Sequence, residues 1–444
     1  VDLVEARKRA GAEPRRPLLA KGEVLHAARA PVYRRAHAVV DTTHKSIARV
    51  VEEVRIVEHV WGELPSRHRG STTIVALGDR SYPVVVTDRI DPDLVTGNWN
   101  EVGPRDQHGV ATSSQRGERN SRIEVITDRN VAGSAPCMAL PRALGVEPIA
   151  IEPGEPSKTL ATYETLCKEL IARGVDRHSL IVALGGGVVG DLAGFVAATL
   201  YRGIRVVQVP TTILAMADAA IGGKTAVDMP AGKNLVGAFH QPGLVMCGLD
   251  TLTTLPARER RAAFGELWKY ALLDGPQLWK QVEACASWAA GSDGVAPPAE
   301  LRTVIQAAIA YKAAIVGRDE YEQTGHRALL NLGHTVGHAI ESASGMLHGE
   351  AVALGLLAAC RVSSAICGAP AHLEAQTRDA LAACGLATDL DRWLGDDVLA
   401  RLGFDKKRVG GSLKFIAVHE VGACEPIDIT LDEVRRILRS SVCT

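Results

Sequence analysis

The sequence predicts an α/β first part built on a mostly parallel sheet, followed by a mainly α-helical second part. Three observations carry this. From Ser121 onward, short apolar runs alternate with helical patterns, as parallel strands covered on both faces require. After Thr254-Leu255-Pro256 the alternation stops and apolar residues recur at helical spacing. Between them, Gly185–Gln241 opens with a glycine turn and then sets Thr211, Thr212, Asp218, Lys224, Lys233 and Asn234 among Gly and Ala. Such density of polar residues reads as an active site.

The bulk numbers suit a soluble enzyme of two domains or slightly more, since the chain has 444 residues and single cores rarely grow beyond about 250–300. Hydrophobic content is 46%, charged content 23% and net charge -1, which gives no reason to expect nucleic acid or a membrane surface as partner. The nine cysteines form no CxxC pair, so a reducing cytoplasm is expected. No uninterrupted apolar run approaches the roughly 20 residues that span a bilayer. The N-terminus lacks the apolar core of a signal peptide, and with no initial Met the chain is expected to be a fragment or a processed product.

Residues 1–70 lean basic and helical, with an amphipathic run at Ile47–Val60. Within them Arg15–Glu23 reads RRPLLAKGE and Ala28–Thr43 reads ARAPVYRRAHAVVDTT, which resembles the C-terminal part of a shikimate kinase, with Arg16 and Arg29 as the matching arginines. No GxxxxGK[ST] loop is present to cradle ATP phosphates, so a kinase remnant without kinase activity is expected.

TTIVALG and SYPVVVTD predict a β-hairpin from Thr72. Asp91–Asn120 is polar, Gly-rich and aperiodic, and reads as a long surface loop. Strands follow at Arg122–Thr127, Glu147–Ile151 and Ser179–Leu184, with a helix at Leu160–Arg173 after PGEPSKTL. The glycine turn leads to a helical pattern starting near Leu192, then to an apolar run at Ile204–Pro210. Parallel sheets bind ligands at the carboxyl ends of their strands, which would gather Asp128, Lys158, Gly185–Asp191 and Thr211–Thr212. Gly185, Gly187 and Gly190 fit G-x-G-x-x-G, yet no acidic residue follows about 20 positions on, as a plain Rossmann dehydrogenase would need. Asp128 is the better ribose candidate.

In the second part, helices are predicted at Arg258–Leu273, Gln277–Ala290, Ala299–Val316, Asn331–Ser344, Gly349–Ile366 and Leu373–Ala383. A strand at Ser412–Val418, a turn at Val421-Gly422 and a helix at Leu431–Arg439 close the chain. His334 and His338 share a helix face, His348 follows just before another apolar helix, and Glu266 on an apolar helix is a further candidate ligand. Two helical histidines plus a third His or a carboxylate make up a zinc site with an open position. Lys224, Lys233, Lys269, Lys312 and Arg327 sit in apolar surroundings, with Lys406 and Lys407 later, and suggest an anionic substrate carrying phosphate and carboxylate.

From about Thr72 to Thr444 these segments resemble the 3-dehydroquinate synthase family of the sugar-phosphate cyclase superfamily. The carriers are PGEPSKTL, GGGVVGDLAGF, RGIRVVQVPTTILAMADAAIGGKTAVDMPAGKNLVGAFHQP, GELWKYALL, LLNLGHTVGHAIE, LHGEAVALG and DKKRVGGSLKF. The resemblance implies an NAD-binding α/β domain at residues 71–255 and a helical metal- and substrate-binding domain at residues 256–444, with the active site between them. It implies metal ligands Glu266, His334 and His348, with His338 as a substrate or proton-relay residue. NAD would meet Asp128, Asn130, Glu155, Lys158, Gly186, Gly187, Val188, Gly190, Asp191, Thr211, Thr212, Thr251 and Thr254, with Lys224 and Lys233 nearby. Substrate would meet Asp218, Lys224, Asn234, Lys269, Lys312, Glu322, Arg327, Asn331, His338 and Lys406 or Lys407. Arg202 would reach the phosphate held by a neighbouring subunit, so a homodimer is implied.

The family converts 3-deoxy-D-arabino-heptulosonate 7-phosphate to 3-dehydroquinate and phosphate, a step of the shikimate pathway to aromatic amino acids. NAD serves catalytically, and zinc or cobalt acts as Lewis acid. Glu322 and Arg327 lie five apart where the family pattern often shows four. Competing readings are another sugar-phosphate cyclase with an amino or carboxylate-free substrate, a metal-dependent polyol dehydrogenase marked by net NADH release, and a non-catalytic copy.

Overall fold

The computed structural model describes residues 33, 35–97, 122–402 and 412–440. The chain divides into two compact units. Unit 1 takes in the described part of Val1–Thr211 with Ala219–Thr251 and Ile309–Tyr321; unit 2 takes in Thr212–Asp218, Leu252–Ala308 and the described part of Glu322–Thr444.

Unit 1 is built on a seven-stranded sheet. Its strands are β1 (Thr72–Val75), β2 (Tyr82–Thr87), β3 (Ile123–Asp128), β4 (Ile149–Ile151), β5 (Leu180–Gly185), β6 (Arg205–Pro210) and β9 (Leu244–Gly248), in the order β1-β2-β9-β6-β5-β3-β4. All neighbours pair in parallel except β1 with β2, the hairpin expected from sequence. The sheet is apolar on both faces. Along β5, Ile181 and Ala183 join one core cluster while Leu180, Val182 and Leu184 join the other, the strict alternation of a strand between two layers. The helix α1 (Ile47–Glu63) lies against β1 and β2, and Ala38 bridges to Ile74, so the described residues before Thr72 belong with this sheet. Arg16 and Arg29 lie outside the described residues.

Four expectations change here. The helix after the glycine turn, α3 (Gly187–Thr199), starts five residues earlier than the apolar pattern suggested, so Val188, Gly190 and Asp191 are helical; α2 (Leu160–Ala172) precedes it. The stretch read as loop from Asp91 contains a short helix, Pro92–Thr96, that buries Leu94 and Val95; residues 98–121 lie outside the described set. A hairpin of β7 (Lys224–Met229) and β8 (Gly232–Phe239) occupies a segment that had been read only as polar site residues. Lys224 and Lys233 on that hairpin are exposed and do not sit at apolar positions.

Unit 2 is mainly helical. Its helices include α4 (Ala257–Asp274), α6 (His334–Ser344), α7 (His348–Cys367) and α8 (Leu431–Ser440); α5 (Ala299–Arg318) is divided between the two units. The helix expected at Gln277–Ala290 breaks at Cys285, and that expected from Asn331 begins at His334 after a 3-10 turn at His326–Asn331. β10 (Ser412–Glu420) pairs with β11 (Ala423–Thr430), a strand that went unread because Pro426 lies in it. By length and apolarity α7 could pass for a membrane span, with a mean hydropathy of 1.6 in its most apolar window, but 67% of that window is buried within the fold.

Candidate metal centre and cofactor-binding strand ends

Three helices of unit 2 meet through glycine. A Cβ at Gly349 would lie 1.8 Å from the Ala262 carbonyl oxygen, and one at Gly265 would lie 2.0 Å from the Gly349 carbonyl oxygen. Only hydrogen fits, so α4 and α7 touch backbone to backbone beside Glu266 and His348. On the other side, a Cβ at Gly355 would lie 1.9 Å from the Gly333 carbonyl oxygen, which draws α7 against the start of α6 and His334. The first turn of α7 is also pinned: Glu350 accepts from Leu347 N–H and takes a two-pronged ion pair from Arg258 of α4.

The result is a cluster of three ligand atoms within 4.8 Å of one another, from Glu266, His334 and His348. Glu266 Oε1 lies 3.2 Å from His334 Nε2 and 3.1 Å from His348 Nε2. His334 Nδ1 lies 3.0 Å from the Leu332 carbonyl oxygen, and His348 Nδ1 lies 3.0 Å from Glu341 Oε2. Each Nδ1 therefore carries the proton its acceptor requires, and in the neutral imidazoles each Nε2 presents a lone pair. Once His348 gives up the proton that it holds toward Glu266, two lone pairs and a carboxylate oxygen face one position, and this donor set fits a divalent metal ion such as zinc. His338, although on the same helix face as His334, is not in that triad. It groups instead with Glu341 and His348.

The charges are held apart by their surroundings. Burial would raise the Glu266 carboxyl, but the Lys269 ammonium and His334 outweigh it and hold it well below the usual carboxylate range. Lys269 forms a buried ion pair with Glu266; burial works against its charge, yet Glu266 and Asp218 raise its pKa. Burial lowers His334 to about 4 despite Glu266. His348 is also penalised by burial, yet hydrogen bonds to Glu266 and Glu341 push it up to about 10 before any metal binds. Asp218, on a π-helical turn at Ala215–Ala219, lies 3.6 Å from Lys269 Nζ. Arg327 is buried and Asn331 half-buried in the turn before α6, while Glu322 sits exposed in a left-handed conformation, φ 57°.

In unit 1, Asp128, Gly186 and Thr211 of the expected cofactor residues lie at the carboxyl ends of parallel strands. Asp128 closes β3, where Oδ1 accepts from the N–H groups of Asn130 and Val131 at 2.9 and 3.0 Å. Gly186 caps α3 without a side chain, leaving Gly187 and Val188 in its first turn. A Cβ at Gly190 would lie 2.8 Å from Gln208 Oε1, so this third glycine serves helix–strand packing. Thr211 N–H donates to the Gly185 carbonyl at the end of β6, and the Thr251 hydroxyl donates to the Gly248 carbonyl after β9. Thr254 is exposed, as is Arg202.

Lys158 is buried and donates to Asp191 Oδ2 and Asn234 Oδ1, both at 2.5 Å. Glu155 Oε1 stands 3.9 Å from Lys158 Nζ and 3.8 Å from Lys233 Nζ, with burial raising its pKa. Burial also raises Asp191, against the positive fields of Lys158 and the buried Lys312. Asp228, unread in the sequence, joins this group and accepts from Asn234 N–H at 2.8 Å. In unit 2, Glu341 and Tyr270 also went unread. Spacing alone could have found Glu341, seven residues after His334 and three after His338 on one face. Tyr270 follows Lys269 directly and carried no separate signal. Lys406 and Lys407 lie outside the described residues.

Two family models match end to end, "3-dehydroquinate synthase N-terminal" over residues 148–262 and "3-dehydroquinate synthase C-terminal" over residues 263–408. The chain belongs to the 3-dehydroquinate synthase family. A 3-dehydroquinate synthase of Cereibacter sphaeroides is 40% identical, covering 83% of this chain and 98% of that protein. Another, from Caulobacter vibrioides, is 42% identical over 79% of this chain and 93% of its own length. Among solved structures, 2-deoxy-scyllo-inosose synthase complexed with carbaglucose-6-phosphate, NAD+ and Co2+ is similar at a TM-score of 0.68 and 26% identity, covering 83% of this chain and 99% of that one. The 3-dehydroquinate synthase models begin at residue 148, so they add nothing to the kinase-like reading of Arg16 and Arg29.

Proposed function

We propose that the chain converts 3-deoxy-D-arabino-heptulosonate 7-phosphate to 3-dehydroquinate and phosphate, using NAD and a divalent ion, zinc or cobalt. The carrying observation is the triad of Glu266, His334 and His348 in a chain about 40% identical to named 3-dehydroquinate synthases over most of its length. When bound, NAD supplies reversible hydride acceptance and the ion supplies Lewis acidity at a substrate hydroxyl.

The chain's own residues would do the rest. Glu266, His334 and His348 would hold the ion, and the Lys269 ammonium would offset the buried negative charge of Glu266. Asp218 and His338 would accept and return substrate protons. Lys312, Arg327, Asn331, Lys224 and Asn234 would bind the carboxylate and phosphate; a buried guanidinium such as Arg327 suits an anion in a way no neutral polyol would. Asp128, Asn130, Glu155, Lys158, Gly186–Asp191, Thr211, Thr212, Thr251, Thr254 and Lys233 would bind NAD. A homodimer is part of this reading, with exposed Arg202 serving the neighbouring copy; sedimentation equilibrium tests it, and a monomer would exclude that role.

The test of the site is metal content. Glu266→Ala and His348→Ala should each lose the ion and phosphate release while keeping the native circular dichroism. Full metal content and activity in either variant would sink the assignment.

A further inference from the structure

The two histidines of the triad are held by different partners. His334 Nδ1 meets a neutral backbone carbonyl, that of Leu332, whereas His348 Nδ1 meets a carboxylate oxygen, Glu341 Oε2, each at 3.0 Å. His334, His338 and Glu341 fall on one face of α6, at positions i, i+4 and i+7, and His348 opens the next helix against that face. The Glu341 side chain is 13% exposed and that of His348 30%, so the pair is shielded but not sealed. Each of the two ligand histidines opens its helix, and His348 is the more exposed of them. Its Nδ1 meets a side chain where that of His334 meets the backbone, so a single substitution can remove the partner of His348.

We propose that Glu341 is a positioning residue that fixes the ring and tautomer of His348, so that Nε2 faces Glu266 and His334 as a metal ligand. This rests on the metal-site reading above. The carboxylate accepts the Nδ1 proton, keeps the Nε2 lone pair directed at the ion position, and makes the imidazole a stronger donor than a carbonyl partner would. Glu341 also groups with His338, so one carboxylate fixes a ligand beside the histidine assigned to substrate.

The experiment uses the full chain, stripped of metal and titrated with Zn2+ against a chromophoric chelator, and separately with Co2+ to read its visible absorption. Wild type should bind one equivalent. Glu341→Gln keeps the shape but not the charge, and its Zn2+ affinity should fall by about 10–100-fold, with an altered Co2+ spectrum. Substrate KM at saturating metal should stay within about twofold of wild type. Glu341→Asp, which retains the charge, should bind more tightly than Glu341→Ala. Wild-type affinity and Co2+ spectrum in both the Gln and Ala variants would overturn the inference. A wild-type chain that takes up no equivalent would overturn the metal-site reading beneath it.

Discussion

Tyr270 Oη donates a 2.5 Å hydrogen bond to Asp218 Oδ1, while the Lys269 ammonium stands 3.6 Å from the same oxygen. Consecutive residues of one helix thus hold a carboxylate carried on a π-helical turn, and Lys269 links it onward to Glu266. Tyr270 is itself buried, so its hydroxyl has a fixed direction. Tyr270→Phe should lower stability by about 1.5–3 kcal/mol, typical of a lost hydrogen bond to a charged group. It should also reduce kcat with metal content unchanged. Thermal melts and metal analysis check both; a variant equal to wild type in kcat would show that Asp218 needs no such anchor.

Gly349 is where α7 meets α4, and nothing larger than hydrogen fits there. Gly349→Ala should force the helices apart, costing about 1–3 kcal/mol, and should separate Glu266 from His348 enough to lose the metal. Chemical denaturation with metal analysis reads both effects. A stable variant with full metal would mean that the helices shift without disturbing the ligands.

Lys158 and Asp191 were both expected to face the cofactor, yet each is the other's nearest charge partner. A double-mutant cycle of Lys158→Met and Asp191→Asn should give a coupling of about 1–2 kcal/mol. Additive losses in stability would show that the pair is held apart in solution.

On the acid side, Asp91 is a usable probe. Burial would raise its pKa, but hydrogen bonds from Arg67 and His68 outweigh this and lower it. A carboxyl depressed in the folded state adds stability that is present above its unfolded pKa, about 4, and lost as pH falls through the lower folded value. Asp91→Asn should therefore melt below wild type at neutral pH, with the gap closing only in strong acid. A gap that does not change with pH would contradict the assignment.

Much of this was legible in the sequence because its periodicities are strong. The runs that became β3, β5 and β6 are buried on both faces and read as continuous apolar segments. The start of α3 was read late because Gly187, Val188 and Gly190 give no helical signal; tertiary packing on β5 and β6 makes them helical. β8 escaped because its side chains are largely exposed and alternate weakly, and β11 because Pro426 demotes a strand unless it lies in a two-stranded ribbon with an open edge. At the site, local spacing suggested that His334 and His338 bind together. The fold instead pairs His334 with residues 68 positions before it and 14 after, which only helix packing through glycine decides.

The most direct test of the central claim is phosphate release from 3-deoxy-D-arabino-heptulosonate 7-phosphate with NAD and Zn2+ present, followed together with absorbance at 340 nm. Stoichiometric phosphate release without net NADH growth, abolished by chelation, is the expected result. Steady NADH accumulation, or no phosphate release from the metal-loaded chain, would contradict it.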